Sequence, residues 1–512
     1  MQFVSHPWIS ENVIEHRDYQ EKIARTALTG NTLCVLPTGL GKTNIAALVA
    51  AGRLQQSSGR VLFLAPTRPL VSQHKKSFEK CFKAGLKMRV VTGEDNPENR
   101  FYLYKDADVI FSTPQCVQND LKSRSISLDD FVLCIFDEAH RAVGNYAYPF
   151  VAKKYTEQAR SPLILALTAS PGGHQQKINE VKAKLFIKNV EIRTRDDTDV
   201  KPYVQELKRI QLAVSLPTEL QSVRNYLEKV RAERVRKLLD WKIIMHLRPS
   251  KSDLLKLQAE LANKKTGFGY AAMSVIAEVI KLDHALMLLE TQCLYSLNKY
   301  FEKISGEKTK ASLRLSASAD FKDAVRLTGE LLNEGKEHPK ISALREFVAE
   351  ELKDRDARII IFAQLRDTIE KIKESLSAVK NAAPVEFIGQ AKKKGKGMSQ
   401  KEQLHTLNEF AMGFHNILLA TQIGEEGLDI AETSAVVFYE PVPSAIRRIQ
   451  RTGRTARTKP GKVVMLITKD TRDEAFYWSG QQKERKMHGI LHGMQRAHSA
   501  PQKKGTLREF VK

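Results

Sequence analysis

The chain has 512 residues, of which 42% are hydrophobic and 28% charged, and it carries a formal net charge of +23. This length exceeds what one compact core supports and predicts two to four domains. No run approaches the roughly 20 apolar residues of a membrane-spanning helix, and the N-terminus lacks a basic stretch followed by an apolar run. We therefore expect neither a membrane segment nor a secretory signal.

Basic side chains concentrate in two stretches. Residues 221–265 hold 12 Lys or Arg against 5 Asp or Glu, and residues 481–512 hold 8 against 2. Two such concentrations favour a polyanionic partner, with nucleic acid the leading candidate, over a uniformly solvated surface.

Cysteine usage indicates a reducing environment. The five cysteines are widely spaced, their number is odd, and no CxxC pair occurs. We expect buried free thiols rather than disulfides or a zinc site, and an intracellular protein, cytoplasmic and associated with the nucleoid.

The first 200 residues alternate apolar runs with amphipathic segments, which is typical of a parallel sheet with crossover helices. The apolar runs are rich in Val, Ile, Leu and Phe. The predicted strands cover residues 32–36, 61–66, 107–113, 131–137 and 163–169.

A second region of the same character begins near His338. Between the two regions, from about Leu216 to Lys336, apolar residues recur at three and four positions, which predicts a helical insert. The fold class is therefore α/β, with two parallel-sheet domains and an all-helical domain between them. The predicted strands of the second region cover residues 358–364, 385–390, 416–421, 434–440 and 461–468.

These patterns predict four parts. Residues 1–210 form a first sheet domain, 211–336 a helical insert, 337–480 a second sheet domain, and 481–512 a basic tail. Two such domains in one chain indicate a cleft whose closure a ligand could control.

LPTGLGKTN, residues 36–44, follows a short strand and precedes a helix, which is the context of a phosphate-binding loop. Leu36 stands where the usual pattern has its first glycine, so alone the loop also fits a simple glycine turn. Lys42 would reach the β- and γ-phosphates of ATP and Thr43 would ligate Mg²⁺. The predicted nucleotide contacts are Pro37, Thr38, Gly39, Leu40, Gly41, Lys42 and Thr43.

FDEAH, residues 136–140, ends a hydrophobic strand, where adjacent carboxylates are costly unless a cation compensates them. Asp137 would hold Mg²⁺, directly or through water, and Glu138 would orient and deprotonate the attacking water. An acidic cap of the strand end is the alternative.

QRTGRTAR, residues 450–457, places Arg454 and Arg457 three apart, on one face of a helix. Across a cleft, these guanidiniums could neutralise charge on the γ-phosphate as arginine fingers. A solvated basic helix is the alternative. The predicted catalytic residues are Lys42, Asp137, Glu138, Gln450, Arg454 and Arg457.

These motifs in this order, with APTRPL at 65–70, TAS at 168–170 and ATQIGEEGLDI at 420–430, resemble a superfamily-two helicase of the DEAH-box kind. The resemblance implies two RecA-like domains with ATP bound between them. It also implies Arg17 and Gln20 near adenine, Asp429 at the ribose, and coupling through Thr168 and Ser170. The nucleic-acid contacts that it implies are Thr67, Arg68, Thr92, Gly93, Thr113, Gln364, Arg366 and Thr421.

Further sequence motifs, such as FDEAHRAVGNYAY, LTASPGG and DEAFYWSGQQKERKM, resemble the archaeal Hef helicase region. The Hef group is related to the Fanconi-anaemia M-type fork remodelers. This implies an ATP-dependent DNA helicase or translocase acting on forks and Holliday junctions in DNA repair, with an insert that binds branched DNA. We expect no nuclease activity, because the XPF-type domain of full-length Hef proteins is missing from the sequence. Insert contacts chosen by charge are Arg231, Arg234, Arg236 and Lys237.

Two alternatives stay open. A duplex-RNA-binding ATPase sensor of the RIG-I-like or Dicer motor type shares the helical insert. The terminal KGTLREFVK resembles a sliding-clamp (PCNA) box through Leu507 and Phe510, although Lys504 replaces its glutamine. A frayed tail explains that segment equally well.

Overall fold

The computed structural model describes residues 2–170, 175–264, 266–389, 397–421, 430–442, 444, 451–453, 455–456 and 459–499. It contains two parallel sheets with a helical bundle between them in the chain, which confirms the predicted fold class.

The first sheet has seven described strands, all paired in parallel, in the order β3-β4-β2-β5-β6-β1-β7. Its central strands are apolar on both faces because helices cover both sides. The strands are β1 Thr32–Val35, β2 Arg60–Leu64, β3 Met88–Val91, β4 Val109–Ser112, β5 Phe131–Phe136, β6 Ile164–Thr168 and β7 Asn189–Ile192. The helices are α1 Asp18–Thr29, α2 Lys42–Gln56, α3 Arg68–Cys81, α4 Pro97–Lys105, α5 Pro114–Lys122, α6 Ala147–Gln158 and α7 Gln175–Lys184.

The helical insert packs around two apolar clusters, one near the second sheet domain and one toward its far end. Its two longest helices lie against each other, which buries the apolar positions that recur at three and four. The helices are α8 Thr218–Asp240, α9 Lys251–Lys264, α10 Gly267–Thr291, α11 Leu294–Gly306, α12 Lys310–Ala317 and α13 Ala319–Asn333.

The second sheet has six described parallel strands in the order β10-β11-β9-β12-β13-β8. The strands are β8 Leu207–Val214, β9 Ile359–Phe362, β10 Pro384–Phe387, β11 Ile417–Ala420, β12 Ala435–Phe438 and β13 Gly461–Thr468. The helices are α14 Pro339–Glu351, α15 Arg366–Ser377, α16 Gln400–Met412 and α17 Arg472–Ser499.

The edge strand β8 precedes the insert in the chain but pairs with β13 of the second sheet. The predicted boundary at residue 210 falls inside this strand, so we propose that the second sheet domain begins at Leu207 and receives the insert after its first strand.

Helix α17 lies against all three domains. Its contacts include β13 of the second sheet, α10 of the insert and β7 of the first sheet. Met487 on this helix is 1% exposed and belongs to an apolar cluster of the first domain. Residues 481–499, predicted as part of a basic tail, are therefore helical, and Met487 among them is packed.

All five cysteines are buried and free, as predicted. Among the described residues, no helix combines the length and apolar character needed to cross a bilayer.

Candidate nucleotide and nucleic-acid site

The loop after β1 has the backbone of a phosphate cradle. Gly39 and Gly41 both have left-handed φ angles, of 84° and 81°, which side-chain-bearing residues rarely adopt. Gly41 caps α2, and a Cβ atom there would lie 2.4 Å from Nε2 of Gln20. The Lys42 ammonium donates to the Leu36 carbonyl at 3.0 Å. The helix start therefore presents backbone N–H groups and a lysine to an anion.

A buried polar cluster of Gln20 and Tyr19 lies beside this loop and is the candidate base pocket. Gln20 is 1% exposed, and its amide donates to the Leu40 carbonyl at 3.0 Å. The Tyr19 hydroxyl donates to the same carbonyl at 2.8 Å. Oε1 of Gln20 is buried without a hydrogen-bond partner in the described residues. A buried acceptor held in this way fits the exocyclic amino group of adenine.

Asp137 follows β5 and is held by a histidine of α3. Nε2 of His74 lies 2.9 Å from its carboxylate, and the Tyr148 hydroxyl donates to its carbonyl at 2.6 Å. Burial raises the pKa of the Asp137 carboxyl, but the hydrogen bond and charge of His74, with the charge of Lys42, hold it below its usual value. The carboxylate is therefore ionised beside the phosphate loop, where it and Thr43 could hold Mg²⁺.

Glu138 has a backbone conformation that few non-glycine residues adopt. Its φ and ψ are 49° and 48°, and it starts the 3₁₀ turn Ala139–Arg141. Its Oε2 is buried without a hydrogen-bond partner in the described residues, 3.3 Å from Nδ1 of His140. Strain of this kind clusters at functional sites. An unsatisfied carboxylate oxygen there fits the predicted role of accepting a proton from water.

A chain of polar contacts leads from this turn to α17. Nδ1 of His140 lies 3.2 Å from the hydroxyl of Thr168, which donates to the Ser170 carbonyl at 2.9 Å. The Ser170 hydroxyl donates to the sulfur of Met487 at 2.8 Å. The predicted coupling residues therefore connect the turn that follows Glu138 to the helix that contacts all three domains.

The predicted nucleic-acid residues of the first domain lie at the carboxyl edge of its sheet, on the side that β3, β4 and β2 form. They follow β2, β3 and β4, which are neighbours, whereas the phosphate loop and Asp137 follow β1 and β5. Arg68 pairs with Glu94, and the buried Thr67 hydroxyl has no partner in the described residues. The other members of this group are Thr92, Gly93 and Thr113.

The second sheet carries its predicted nucleic-acid residues at the same edge. Gln364 follows β9 and Thr421 follows the adjacent β11, so both lie at the carboxyl edge of the sheet. Arg366 donates to the carbonyl of Gly389, which follows β10, at 2.9 Å. The predicted tracking residues of both domains therefore occupy equivalent positions.

The two sheet domains meet at the phosphate loop. A Cβ atom on Gly453, in the loop between β12 and β13, would lie 1.7 Å from Oγ1 of Thr38. Only glycine permits this approach. The predicted residues Gln450, Arg454 and Arg457, together with Asp429, lie outside the described residues.

The four insert residues chosen by charge divide into two pairs. Arg231 and Arg234 donate to Asp283 and to the buried Glu278 of α10, each at 2.7 Å. Arg236 and Lys237 are exposed. The first pair holds α8 against α10, so the second pair is better placed to contact DNA.

Sequence reasoning gave no role to several residues of the site. His74 orients Asp137, Met487 receives the Ser170 hydroxyl, and Tyr203 lies against Arg17, 4.8 Å from its guanidinium carbon. His74 lies four residues after the APTRPL motif at 65–70, which is a usable signal. No local pattern marks Met487 or Tyr203.

Family comparisons agree with this geometry. Residues 17–178 match the DEAD/DEAH box helicase family, residues 339–459 the helicase conserved C-terminal domain, and residues 219–333 the helical bundle of a putative ATP-dependent RNA helicase. The crystal structure of the Pyrococcus furiosus Hef helicase domain is 41% identical, with a TM-score of 0.73, and the match covers 92% of this chain and 99% of that one. The chain belongs to the Hef helicase family. The predicted family resemblance is therefore confirmed.

Several relatives of this Hef-type chain are longer than it is. A putative ATP-dependent RNA helicase of Methanocaldococcus jannaschii is 42% identical over 96% of the chain and 63% of the relative. The putative ATP-dependent DNA helicase fml2 of Schizosaccharomyces pombe is 33% identical over 92% of the chain and 63% of the relative. The mouse Fanconi anemia group M protein homolog is 32% identical over 95% of the chain and 26% of the relative. The chain spans about 63% of the length of the first two.

Proposed function

We propose that this chain is an ATP-driven DNA helicase or translocase that unwinds or remodels branched DNA, such as stalled forks and Holliday junctions, in DNA repair. The observation that carries the proposal is the close approach of Gly453 to Thr38, which brings the residue before the predicted arginine finger Arg454 to the phosphate loop. The names of the fml2 and Fanconi-type relatives support DNA as the substrate.

ATP would lie between the two sheet domains. Gln20 would accept a hydrogen bond from adenine, and the start of α2 would receive the phosphates. Lys42, which contacts the Leu36 carbonyl at 3.0 Å, would turn to the β- and γ-phosphates. Mg²⁺, held by Thr43 and Asp137, would neutralise phosphate charge.

Hydrolysis would use Glu138 as the base. Its buried Oε2 has no hydrogen-bond partner in the described residues, so it would accept a proton from a water aimed at the γ-phosphate. Arg454 and Arg457 would stabilise charge on that phosphate in the transition state. Because these arginines belong to the second domain, hydrolysis would require a closed cleft.

Movement on DNA would follow from cleft opening and closing. Each domain carries its predicted tracking residues at the carboxyl edge of neighbouring strands, and in the first domain the phosphate loop and Asp137 share that edge. Hydroxyl, backbone and arginine contacts to phosphates carry no base information, so tracking would be independent of sequence. The net charge of +23 predicts a steep loss of affinity with salt.

Two substitutions test the motor. Lys42→Ala should abolish DNA-stimulated ATP hydrolysis, and Arg457→Ala should reduce its kcat severely while ATP binding persists. Lys153→Ala, at a lysine whose side chain is 69% exposed on α6, is the control and should hydrolyse ATP normally. Normal stimulated turnover in either of the first two variants would contradict the proposal.

A duplex-RNA-binding ATPase sensor is the second candidate function. One observation favours it, because the M. jannaschii relative and the helical-bundle family are both described as putative RNA helicases. Duplex RNA that stimulates ATPase activity more than fork DNA does, at equal salt, would establish it.

Three narrower expectations belong to this proposal. Leu507 and Phe510 would bind a sliding clamp, which a pull-down with the clamp and a Phe510→Ala control would test. The protein would act inside the cell, associated with the nucleoid. Nuclease activity would be absent, and specific incision of a labelled fork with Mg²⁺ or Mn²⁺ that survives Glu138→Gln would refute this.

A further inference from the structure

The guanidinium of Arg17 is held on its edges by neighbouring side chains. Its Nε and Nη2 atoms donate to one carboxylate oxygen of Glu15, at 3.0 and 2.7 Å. Its Nη1 atom lies 3.4 Å from the Tyr19 hydroxyl, which also contacts the Leu40 carbonyl beside Gln20. These contacts fix the plane of the group next to the pocket for the base.

One face of this plane is covered by Tyr203. The guanidinium carbon of Arg17 lies 4.8 Å from the centre of the Tyr203 ring, a cation–π distance. The ring also lies 5.8 Å from the Tyr19 ring and packs against the core of the first domain. The Arg17 side chain is 24% exposed, so with its edges and one face contacted, its second face could stack on a planar ligand.

Tyr203 comes from an unexpected part of the chain. It ends the 3₁₀ turn Lys201–Tyr203, in the segment that joins β7 of the first sheet to β8 of the second. The connection between the two sheet domains therefore passes directly over the arginine of the base pocket. A residue at this position could influence the choice of nucleotide without belonging to any of the nucleotide motifs.

We propose that Tyr203 is a positioning residue that sets base specificity, by holding Arg17 so that its second face stacks on the purine whose edge Gln20 reads. The inference rests on the proposed nucleotide site. Tyr203 acts through Arg17 and does not itself touch the nucleotide. A smaller pyrimidine would overlap the guanidinium less, so the site would prefer ATP to CTP.

Two substitutions of Tyr203 separate ring stacking from packing. Tyr203→Phe keeps the ring, whereas Tyr203→Leu keeps an apolar side chain against the core and removes the ring. We expect Tyr203→Phe to bind N-methylanthraniloyl-ADP as the wild type does. We expect Tyr203→Leu to bind it roughly 5- to 10-fold more weakly, the size of a partly desolvated cation–π contact. In the same variant, preference for ATP over CTP in competition should fall, while kcat at saturating ATP should persist.

A double-mutant cycle tests whether Tyr203 acts through Arg17. If it does, adding Tyr203→Leu to Arg17→Ala causes no further loss of nucleotide binding. Arg25→Ala is the control, because Arg25 is exposed on α1, the helix that follows Arg17. Thermal unfolding monitors whether each variant keeps its fold. Additive losses, or a Tyr203→Leu variant that binds ADP as well as the wild type, would overturn the inference. A wild-type protein that binds no ADP would instead refute the proposed function.

Discussion

Gly453→Ala tests the contact between the two sheet domains most sharply. The new Cβ atom would lie 1.7 Å from Oγ1 and 2.5 Å from Cβ of Thr38, and real Cβ atoms essentially never come within 3.0 Å of another heavy atom. Rotation of the Thr38 side chain cannot relieve the second clash, because its Cβ atom does not move. The segment around Gly453 must withdraw by 3.0 − 1.7, or about 1.3 Å, if Thr38 keeps its rotamer, and by at least 3.0 − 2.5, or about 0.5 Å, if Thr38 rotates.

A displacement of about 1 Å in a catalytic constellation can cost about 100-fold in rate, or about 2.7 kcal/mol. We therefore expect the kcat of DNA-stimulated ATP hydrolysis to fall by about 10- to 100-fold in Gly453→Ala. ADP affinity should change little, since the base pocket and phosphate loop belong to the first domain. Steady-state ATPase assays and fluorescent-ADP titration measure the two quantities.

Gly329→Ala is the matched control, because a Cβ atom on that glycine of α13 meets nothing within 4 Å. It should hydrolyse ATP at the wild-type rate. Near-normal kcat in Gly453→Ala would refute the reasoning, because hydrolysis would then not require the loop to contact Thr38.

Three further predictions concern the described residues around the site. Met487→Leu retains most of the buried volume but removes the sulfur that accepts a hydrogen bond from Ser170. We expect near-normal ATPase activity, with more ATP hydrolysed per base pair unwound. An unchanged ratio of ATP hydrolysed to base pairs unwound would show that Met487 does not take part in coupling. Asp137→Asn should raise the Mg²⁺ concentration needed for half-maximal hydrolysis, measured by Mg²⁺ titration, and an unchanged titration curve would argue against Asp137 as a ligand. Burial raises the pKa of Glu440 from 4.5 to about 7, so the folded state keeps a proton that the unfolded state releases, and stability should fall by about 3 kcal/mol as pH rises from 4.5 to 7. Glu440→Gln should flatten this decline in denaturant titrations at several pH values, and an equal decline in the variant would exclude Glu440 as its source.

The sequence predicted the buried strands well because those strands are continuously apolar. All six residues of β5 are buried, and FVLCIF reads as a strand without further context. The sequence prediction missed β3, β7 and β8, which are all edge strands, and the alternating burial of LKRIQLAV in β8 gives a weaker signal. The membership of β8 in the second sheet depends on pairing with β13, far along the chain, which no local pattern encodes.

The candidate site shows the same limit. Lys42 and Asp137 stand in motifs whose spacing carries their chemistry. The contact of His74 with Asp137 spans 63 residues and depends on how α3 packs against β3 and β4 of the first sheet. Tyr203 and Met487 reach the site only because a connecting segment and a C-terminal helix return to the first domain. Contacts of this kind follow from tertiary packing, which the sequence pattern does not reveal.

The central claim is that this Hef-family chain is an ATP-driven motor on branched DNA. ATPase rates measured at one salt concentration with fork DNA, linear duplex DNA and duplex RNA of matched sequence test it most directly. We predict the greatest stimulation by the fork, less by linear DNA and least by RNA, with strand separation of the fork that requires ATP. Equal or greater stimulation by duplex RNA, or no stimulation by any of the three, would contradict the claim.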